Sequence, residues 1–208
     1  MTASGSTRAA TAGERGERED QLLAAARKVF RNKGYEGATV AEIVEEAGVA
    51  QGTFYLYYPS KKDVFFALGQ RLYEVMAAHV TDQVAGELPL DDRVRAITAA
   101  CFAAARENSD LVKLVFFGAD SVSAELQAKM TAQNPVVVAL RQMFEEEIAA
   151  GRMKPIDPEI AARLLMGFVR NAVLEAFVLG GDGDAERLQE VAAELFASAV
   201  AGSRRSAP

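Results

Sequence analysis

Helix-start and helix-stop signals divide the N-terminal third of this 208-residue chain into consecutive helices. Apolar residues recur at spacings of three and four from residue 17 onward, and Gly34 is placed to end this first helix. Thr39 and Glu42 match a capping box, in which a hydroxyl and a carboxylate accept hydrogen bonds from unpaired backbone N–H groups. The box predicts a short second helix, Val40–Ala47, which Gly48 ends.

Two more helices follow directly. The third is predicted to begin near Gln51 and to stop before Pro59. Ser60 and Asp63 form a second capping box, which opens a long helix over about residues 61–85. The positions expected to pack the first three helices together are apolar: Ala26, Phe30, Ile43, Ala47, Val49 and Phe54. A helix, a short helix, a glycine turn and another short helix make the helix-turn-helix arrangement.

The remainder of the chain is also predicted to be helical, because no run of alternating β-branched residues interrupts it. The predicted helices lie near residues 91–107, 111–117, 124–150, 158–179 and 185–201. Pro135 predicts a kink or break in the third of these. We therefore predict an all-α fold of about nine helices, with a helix-turn-helix domain at 18–66 and a larger helical domain at 67–202. Residues 1–17 are predicted to be a disordered tail, and residues 203–208 a second tail.

The charge and the scarce residue types exclude several classes of protein. The net charge is −6, but residues 18–66 carry seven basic and seven acidic residues, so a local basic face is compatible with the acidic whole. A single cysteine, Cys101, and a single histidine, His79, exclude a disulfide framework and the usual zinc sites. No cofactor is expected. Because no nucleophile or phosphate-loop motif is present, we predict that the chain is not an enzyme.

The segment 52–65, GTFYLYYPSKKDVF, resembles the DNA-binding domain of the TetR family of transcriptional regulators. Shorter matches precede it at residues 25–30, 33–35, 38–40 and 47–49. One departure is Tyr57, where many members of the family carry histidine. The resemblance implies a sequence-specific DNA-binding transcriptional regulator in the cytoplasm, a repressor released from its operator by a small apolar or amphipathic ligand. The absence of an apolar signal at the N-terminus also favours the cytoplasm.

The third helix is expected to expose polar residues on the side opposite Phe54 and Tyr58. Glutamine can pair with adenine, threonine can touch a thymine methyl or a phosphate, and tyrosine can bond phosphates. In the resemblance, Lys61 takes the place of a phosphate-binding lysine, and Thr39 begins a helix whose N–H groups can meet a phosphate. The predicted DNA contacts are Thr39, Gln51, Gly52, Thr53, Tyr55, Tyr57 and Lys61. The alternative is a solvated surface for the polar residues and a place in the aromatic core for Tyr55.

The helix over residues 160–179 is too apolar to show a wide face to water, and its charges argue against a membrane span. The resemblance implies that the last two long helices of two subunits form a four-helix dimer interface. The predicted interface residues are Leu164, Gly167, Phe168, Asn171, Ala172, Leu188, Ala192, Leu195 and Phe196. Such a homodimer would read a pseudo-palindromic double-stranded operator. The alternative is that these helices only complete the core of one chain.

A ligand pocket in the larger domain is a further implication of the resemblance. The predicted lining is Phe102, Arg106, Phe117, Met130, Asn134, Phe144, Met166 and Arg170. A cation among apolar residues would suit an acidic or amphipathic ligand. Alternatively, these Phe and Met side chains fill a solid core, and Arg170 pairs with Glu175 or an acidic residue of the last helix. A second hypothesis for the whole chain is a helical small-molecule-binding protein without ligand-gated transcriptional control, which would leave the motif at 53–62 unexplained.

Overall fold

The computed structural model describes residues 12–86, 88–119, 129, 133–179 and 184–200. Within them the structure contains nine α-helices, one π-helical turn and no β-strand, so the predicted all-α class is confirmed. The α-helices are α1 (Ala12–Gly37), α2 (Val40–Ala47), α3 (Gln51–Tyr57), α4 (Lys61–Ala85), α5 (Leu90–Glu107), α6 (Ser109–Ala119), α7 (Pro135–Ala149), α8 (Pro158–Leu174) and α9 (Ala185–Val200). The π-helical turn, Glu175–Leu179, follows α8 directly.

The chain divides into two compact units, Met1–Ala67 and Leu68–Pro208. The first unit holds α1, α2, α3 and the start of α4, and the second holds the rest of α4 and all later helices. None of the described helices combines the length and the apolar composition that a bilayer crossing requires.

Local side-chain signals set the bounds of α2 and the turn into α3. The Thr39 hydroxyl oxygen accepts a hydrogen bond from the backbone N–H of Glu42 at 3.3 Å, and the Glu42 carboxylate accepts one from the backbone N–H of Thr39 at 2.9 Å. The predicted capping box is therefore confirmed. Gly48 adopts φ 64° and ψ 34°, the left-handed conformation that glycine takes without steric cost, and this ends α2 as predicted.

The core of the first unit contains most of the apolar residues that were predicted to pack the first three helices together. Phe30, Ile43 and Phe54 are buried completely or nearly so, and Val49 alone among the six predicted positions is half-buried. The rings of Phe30 and Phe65 meet edge to face with centroids 5.9 Å apart, which ties α1 to the start of α4. Phe54 thus holds α3 against this core by one fully buried side chain.

The first helix begins earlier than the sequence pattern indicated. Residues 12–16 are helical, although they fall within the predicted tail at 1–17, and residues 1–11 lie outside the described part of the chain. The described side chains of this early segment are exposed, so no apolar period marks the helix. Gly34 has φ 71° and ψ 171°, so the helical conformation is interrupted by a kink at the predicted stop, and a short turn follows to Gly37.

In the second unit, α5, α8 and α9 pack against one another and α7 packs on α8. Asn134 caps α7, since its side-chain oxygen accepts a hydrogen bond from the backbone N–H of Val136 at 2.9 Å. Pro135 is the first residue of this helix, where its missing N–H costs nothing, so the break predicted there is confirmed. Apart from Lys129, the part of the predicted 124–150 segment before residue 133 lies outside the described residues.

Candidate nucleic-acid interface

One face of α3 is exposed while the other anchors the helix. Gln51, Gly52 and Tyr55 are exposed, whereas Phe54 is fully buried and Tyr58 is 5% exposed. The Tyr55 ring packs edge to face on Phe54 with centroids 5.4 Å apart, yet half of the tyrosine remains open to solvent. The predicted inward positions of this helix, Phe54 and Tyr58, are thus confirmed.

The two remaining predicted contact residues on α3, Thr53 and Tyr57, are half-buried and flank the exposed face. Tyr58 lies behind this face and donates a hydrogen bond from its hydroxyl to Glu19 of α1 at 3.3 Å. Burial and the neighbouring Glu19 carboxylate raise the pKa of Tyr58 well above its ordinary value, so its hydroxyl stays protonated and keeps donating. The hydrogen bond between Tyr58 and Glu19 therefore helps to hold α3 against α1.

The N-terminus of α2, next to Thr39, was predicted to bind a phosphate through its backbone N–H groups. Glu42 lies at this N-terminus. Its carboxylate accepts hydrogen bonds from the hydroxyl and the backbone N–H of Thr39, both at 2.9 Å, and from the ammonium of Lys33. The hydrogen bonds from Lys33 and Thr39 lower the pKa of Glu42, so the group is ionised at neutral pH. The protein's own carboxylate therefore holds Thr39 in this structure.

Lys61, the first residue of α4, also has partners inside the unit. Its ammonium donates to the carbonyl oxygens of Tyr35 at 2.8 Å, Ala38 at 2.9 Å and Glu36 at 3.3 Å. It also lies 4.6 Å from the centroid of the Tyr35 ring, within the range of a cation–π contact. An ammonium has three N–H donors, and these three carbonyls match that number. Lys61 therefore fastens the start of α4 to the end of α1 while remaining half-buried.

The predicted dimer residues separate into an exposed set and a buried set. Leu164 and Phe168 of α8 and Leu195 of α9 expose about half of their side chains, and Gly167 and Asn171 are exposed beside them. Leu188 is half-buried. Ala172, Ala192 and Phe196 point into the unit and are buried, because α8 and α9 pack on each other there. These three residues therefore have little surface left to offer a second copy.

Two further exposed apolar residues, Ile160 and Val191, lie on the same two helices and were not among the predicted interface residues. Ile160, Leu164 and Phe168 follow one another at intervals of four on α8, and Val191 and Leu195 do so on α9. Residues four apart share one face of a helix, so the five side chains form two adjacent ridges, which we call the apolar ridges. The interval of four was visible in the sequence, but the buried neighbours of these residues follow the same spacing.

The predicted ligand-binding residues differ in burial and in their described contacts, and their role in binding a ligand stays a prediction. Phe102, Phe144 and Met166 are buried, but Phe102 contacts Phe177 of the π-helical turn and Phe144 stacks on Phe196 of α9, each with centroids 5.9 Å apart. Asn134 is buried and caps α7, and Arg106 is exposed. The Met130 residue and the side chain of Phe117 lie outside the described part of the chain.

The described contacts of Arg170 are with aromatic rings, and its role as a ligand contact stays a prediction. Its guanidinium carbon lies 5.1 Å from the centroid of the Phe116 ring, which is cation–π geometry rather than an ion pair with Glu175. It also lies near enough to Tyr73 to oppose the rise that burial causes in the pKa of that phenol. Arg170 therefore covers aromatic side chains of the second unit.

A buried ion network in the second unit has no counterpart in the sequence analysis. Glu147 of α7 is 3% exposed and binds Arg93 of α5 at 3.0 Å and Arg152 at 2.8 and 2.9 Å. Arg93 is also buried, and it donates to the backbone carbonyls of Gln83 and Val84 at the end of α4. This network caps α4 and joins it to α5 and α7. Partners as distant in sequence as Arg93 and Glu147 leave no local signal.

The short helix ended by Gly48, the anchored helix α3 and its exposed Gln-Gly-Tyr face define a helix-turn-helix protein of the kind that binds DNA. Residues 22–68 match the family model of the bacterial regulatory proteins of the TetR family. Residues 123–201 match the model of the AefR-like transcriptional repressor C-terminal domain. The chain belongs to the TetR family of transcriptional regulators, as the resemblance in its sequence indicated.

One similar protein is a helix-turn-helix transcriptional regulator, and similar solved structures share the fold. The chain is 28% identical over 182 residues to the uncharacterized helix-turn-helix transcriptional regulator YvdT of Bacillus subtilis, covering 85% of this chain and 90% of the relative. Among solved structures it is similar to FadR of Bacillus subtilis in complex with stearoyl-CoA, with a TM-score of 0.74, 22% identity and coverage of 86% and 97%. It is also similar to SmeT, the repressor of the Stenotrophomonas maltophilia multidrug efflux pump SmeDEF, with a TM-score of 0.69, 20% identity and coverage of 91% and 93%.

Proposed function

We propose that this regulator is a homodimeric repressor that binds a pseudo-palindromic operator through α3 of each copy and leaves it when a small ligand binds. The observation that carries the proposal is the exposed face of Gln51, Gly52 and Tyr55 on a helix held by the buried Phe54. We assign residues 18–66 to DNA binding and residues 67–202 to dimerisation and ligand binding. The place of action is the cytoplasm, where a bacterial regulator meets its operator.

The DNA contacts divide by chemistry. Gln51 has the amide that can pair with the edge of an adenine in the major groove, and Thr53 can touch a thymine methyl or a phosphate. Tyr55 and Tyr57 donate from phenolic hydroxyls to phosphates, and Gly52 lets the backbone come close. Thr39 and Lys61 lie close to each other, since the Lys61 ammonium donates to Ala38, the residue before Thr39. Their internal partners orient them, and the charge of Lys61 attracts phosphate.

The dimer is proposed to form through the apolar ridges. Five large apolar side chains on two adjacent helices make an exposed patch that a soluble monomer rarely carries. We therefore propose that a second copy of the chain covers this patch. An isologous interface places the same patch on both copies about a two-fold axis. Two α3 helices related by that axis would read half-sites one turn of DNA apart, which is the geometry that a pseudo-palindrome requires.

The effector is proposed to be a small apolar or amphipathic molecule bound in the second unit. The buried Phe102, Phe144 and Met166 supply apolar surface there, and methionine adapts readily to a ligand's shape. The complex of FadR with stearoyl-CoA supports an acyl chain as the first compound to test. A ligand releases DNA only if it binds the form without DNA better, so its differential affinity must offset the DNA affinity that is lost.

The test starts from a duplex selected by the full-length protein from a random library. Stearoyl-CoA is titrated into the complex, with coenzyme A and stearate as controls for its two parts. We expect release by the amphipathic compound and none by coenzyme A. Without the compound, the protein should lower transcription from a reporter promoter that carries the duplex. If no compound in a broad apolar and amphipathic panel alters DNA affinity or the melting temperature, the ligand part of the proposal is wrong. Higher transcription from the reporter in the presence of the protein alone would contradict repression.

A further inference from the structure

Leu56 is the most exposed large apolar side chain in the described part of the chain, with 77% of its surface open. It belongs to α3, the helix that carries the proposed DNA contacts. An exposed leucine at an arbitrary surface position needs no explanation, but this one stands in the middle of a proposed binding face. Leu56 is not among the DNA contacts predicted from the sequence.

The helical geometry places Leu56 at the outermost point of that face. Successive residues turn by about 100°, so Leu56 lies about 200° from Phe54, the side chain that anchors α3 in the core. It also follows Gly52 by four residues and therefore shares its face. Tyr55 lies to one side of this pair. When α3 enters a groove with this face forward, Leu56 reaches deepest.

Gly52 strengthens the argument, because nothing in the fold requires a glycine there. A Cβ built at Gly52 would meet no atom within 4 Å, and its φ is not in the left-handed region. Glycine inside a helix is less stable than alanine, so the reason for its presence lies outside the unit. Close approach of a second molecule to this face is such a reason, and that molecule would cover Leu56 as well.

We propose that Leu56 contacts the C5-methyl group of one thymine in each half-site and so adds a position of base specificity to the operator. This inference rests on the proposed role of α3 in binding DNA. The major groove offers apolar groups singly, as thymine methyls among polar base edges. Leu56 matches that pattern, since Thr53 and Gly52, which lie three and four residues before it on the same side of the helix, are polar or lack a side chain. A protein partner would need a far larger apolar area than one leucine provides.

The test is a scan of the selected operator in which each thymine is replaced in turn by deoxyuridine, which removes only the methyl group. For the wild-type protein we expect one symmetric pair of thymines at which the replacement weakens binding by about fourfold per half-site. Leu56→Ala and Leu56→Asn should bind the thymine and uracil operators equally. Leu88→Ala, which shortens another exposed leucine, should keep the full difference.

The possible results distinguish the role of Leu56 from the proposed DNA binding by α3. If the wild-type protein binds its operator but distinguishes thymine from uracil nowhere, or if Leu56→Ala keeps the whole difference, the role of Leu56 is wrong and α3 can still bind DNA. If the protein selects no duplex, the DNA-binding proposal fails and the inference fails with it. Because Leu56 is exposed, both of its variants should melt at the wild-type temperature.

Discussion

The ammonium nitrogen of Lys61 lies 2.8 Å from the carbonyl oxygen of Tyr35, so the first residue of α4 holds the last turn of α1. The same ammonium donates to Ala38 and Glu36. Backbone carbonyls at the end of a helix have no partner within that helix, and a cation there satisfies them and favours the negative end of the helix dipole. The residue that resembles a phosphate-binding lysine thus also organises the fold of the first unit.

Lys61→Ala is therefore expected to change two properties. Loss of the three hydrogen bonds should lower the free energy of unfolding by about 1 kcal/mol, since the group is only half-buried. Loss of the charge beside the DNA should also reduce the slope of log affinity against log salt by about one. Urea unfolding and binding titrations at several salt concentrations measure the two effects. Lower stability with an unchanged slope would show that Lys61 acts only within the protein.

Gly52→Ala should separate stability from binding. Alanine fits without a clash and favours the helix, so the free energy of unfolding should rise by about 0.5–1 kcal/mol. The added methyl group should keep α3 from its closest approach to DNA and weaken operator binding by about tenfold. Thermal melts and binding titrations provide the comparison. Gly16→Ala, on an exposed part of α1 with equal free space, is the matched control and should leave DNA affinity unchanged. Unaltered affinity for Gly52→Ala would argue against close approach at this residue.

The stability of the second unit should fall in acid because of Glu147. Its hydrogen bond from Arg152 and its attraction to both arginines lower its pKa below the ordinary value of 4.5. A carboxyl group with a lowered pKa in the folded state stabilises the fold above its unfolded pKa, and this contribution is lost as pH falls through the folded value. Urea unfolding between pH 7 and pH 3 should show this loss.

Glu147→Gln is the variant that isolates the effect. It leaves the buried Arg93 without its charged partner, so the free energy of unfolding at pH 7 should drop by about 3 kcal/mol. The variant should also lose less stability than the wild-type protein on acidification, because the titrating group is gone. Equal acid sensitivity in both proteins would assign the effect to other carboxylates.

The apolar ridges predict the oligomeric state. Leu164→Glu places a carboxylate in the middle of the proposed interface, where burying an unpaired charge costs several kcal/mol. The wild-type protein should sediment as a dimer at micromolar concentration, and the variant as a folded monomer that binds DNA poorly. Leu88→Glu, the same change at a leucine of equal exposure outside the ridges, should remain dimeric. A wild-type monomer at that concentration would contradict the interface.

Local chemistry explains which parts of the fold were predictable. The bounds of α2 follow from Thr39, Glu42 and Gly48, which act within a few residues of the helix they limit. The inward positions of α3 follow from helical spacing alone. Such signals depend on neighbours in the sequence, so the sequence is sufficient to interpret them.

The features that were missed depend on distant partners or on the absence of burial. Lys61 reaches carbonyls more than twenty residues earlier, and Glu147 meets Arg93 from another helix. The early start of α1 is exposed and has no apolar period. Leu56 was not among the predicted DNA contacts, although its angular distance from Phe54 follows from the helical spacing.

The central claim is that α3 of each copy in a dimer reads bases, and parallel selection of duplexes by the wild-type protein and by Gln51→Ala tests it most directly. The wild-type protein should enrich an inverted repeat whose half-sites lie about one turn, or 10 base pairs, apart. Gln51→Ala should keep that spacing and relax the preference at one position in each half-site, with a cost of about 1–3 kcal/mol for the original base. Identical motifs from both proteins, or no enriched motif from the wild-type protein, would contradict the account.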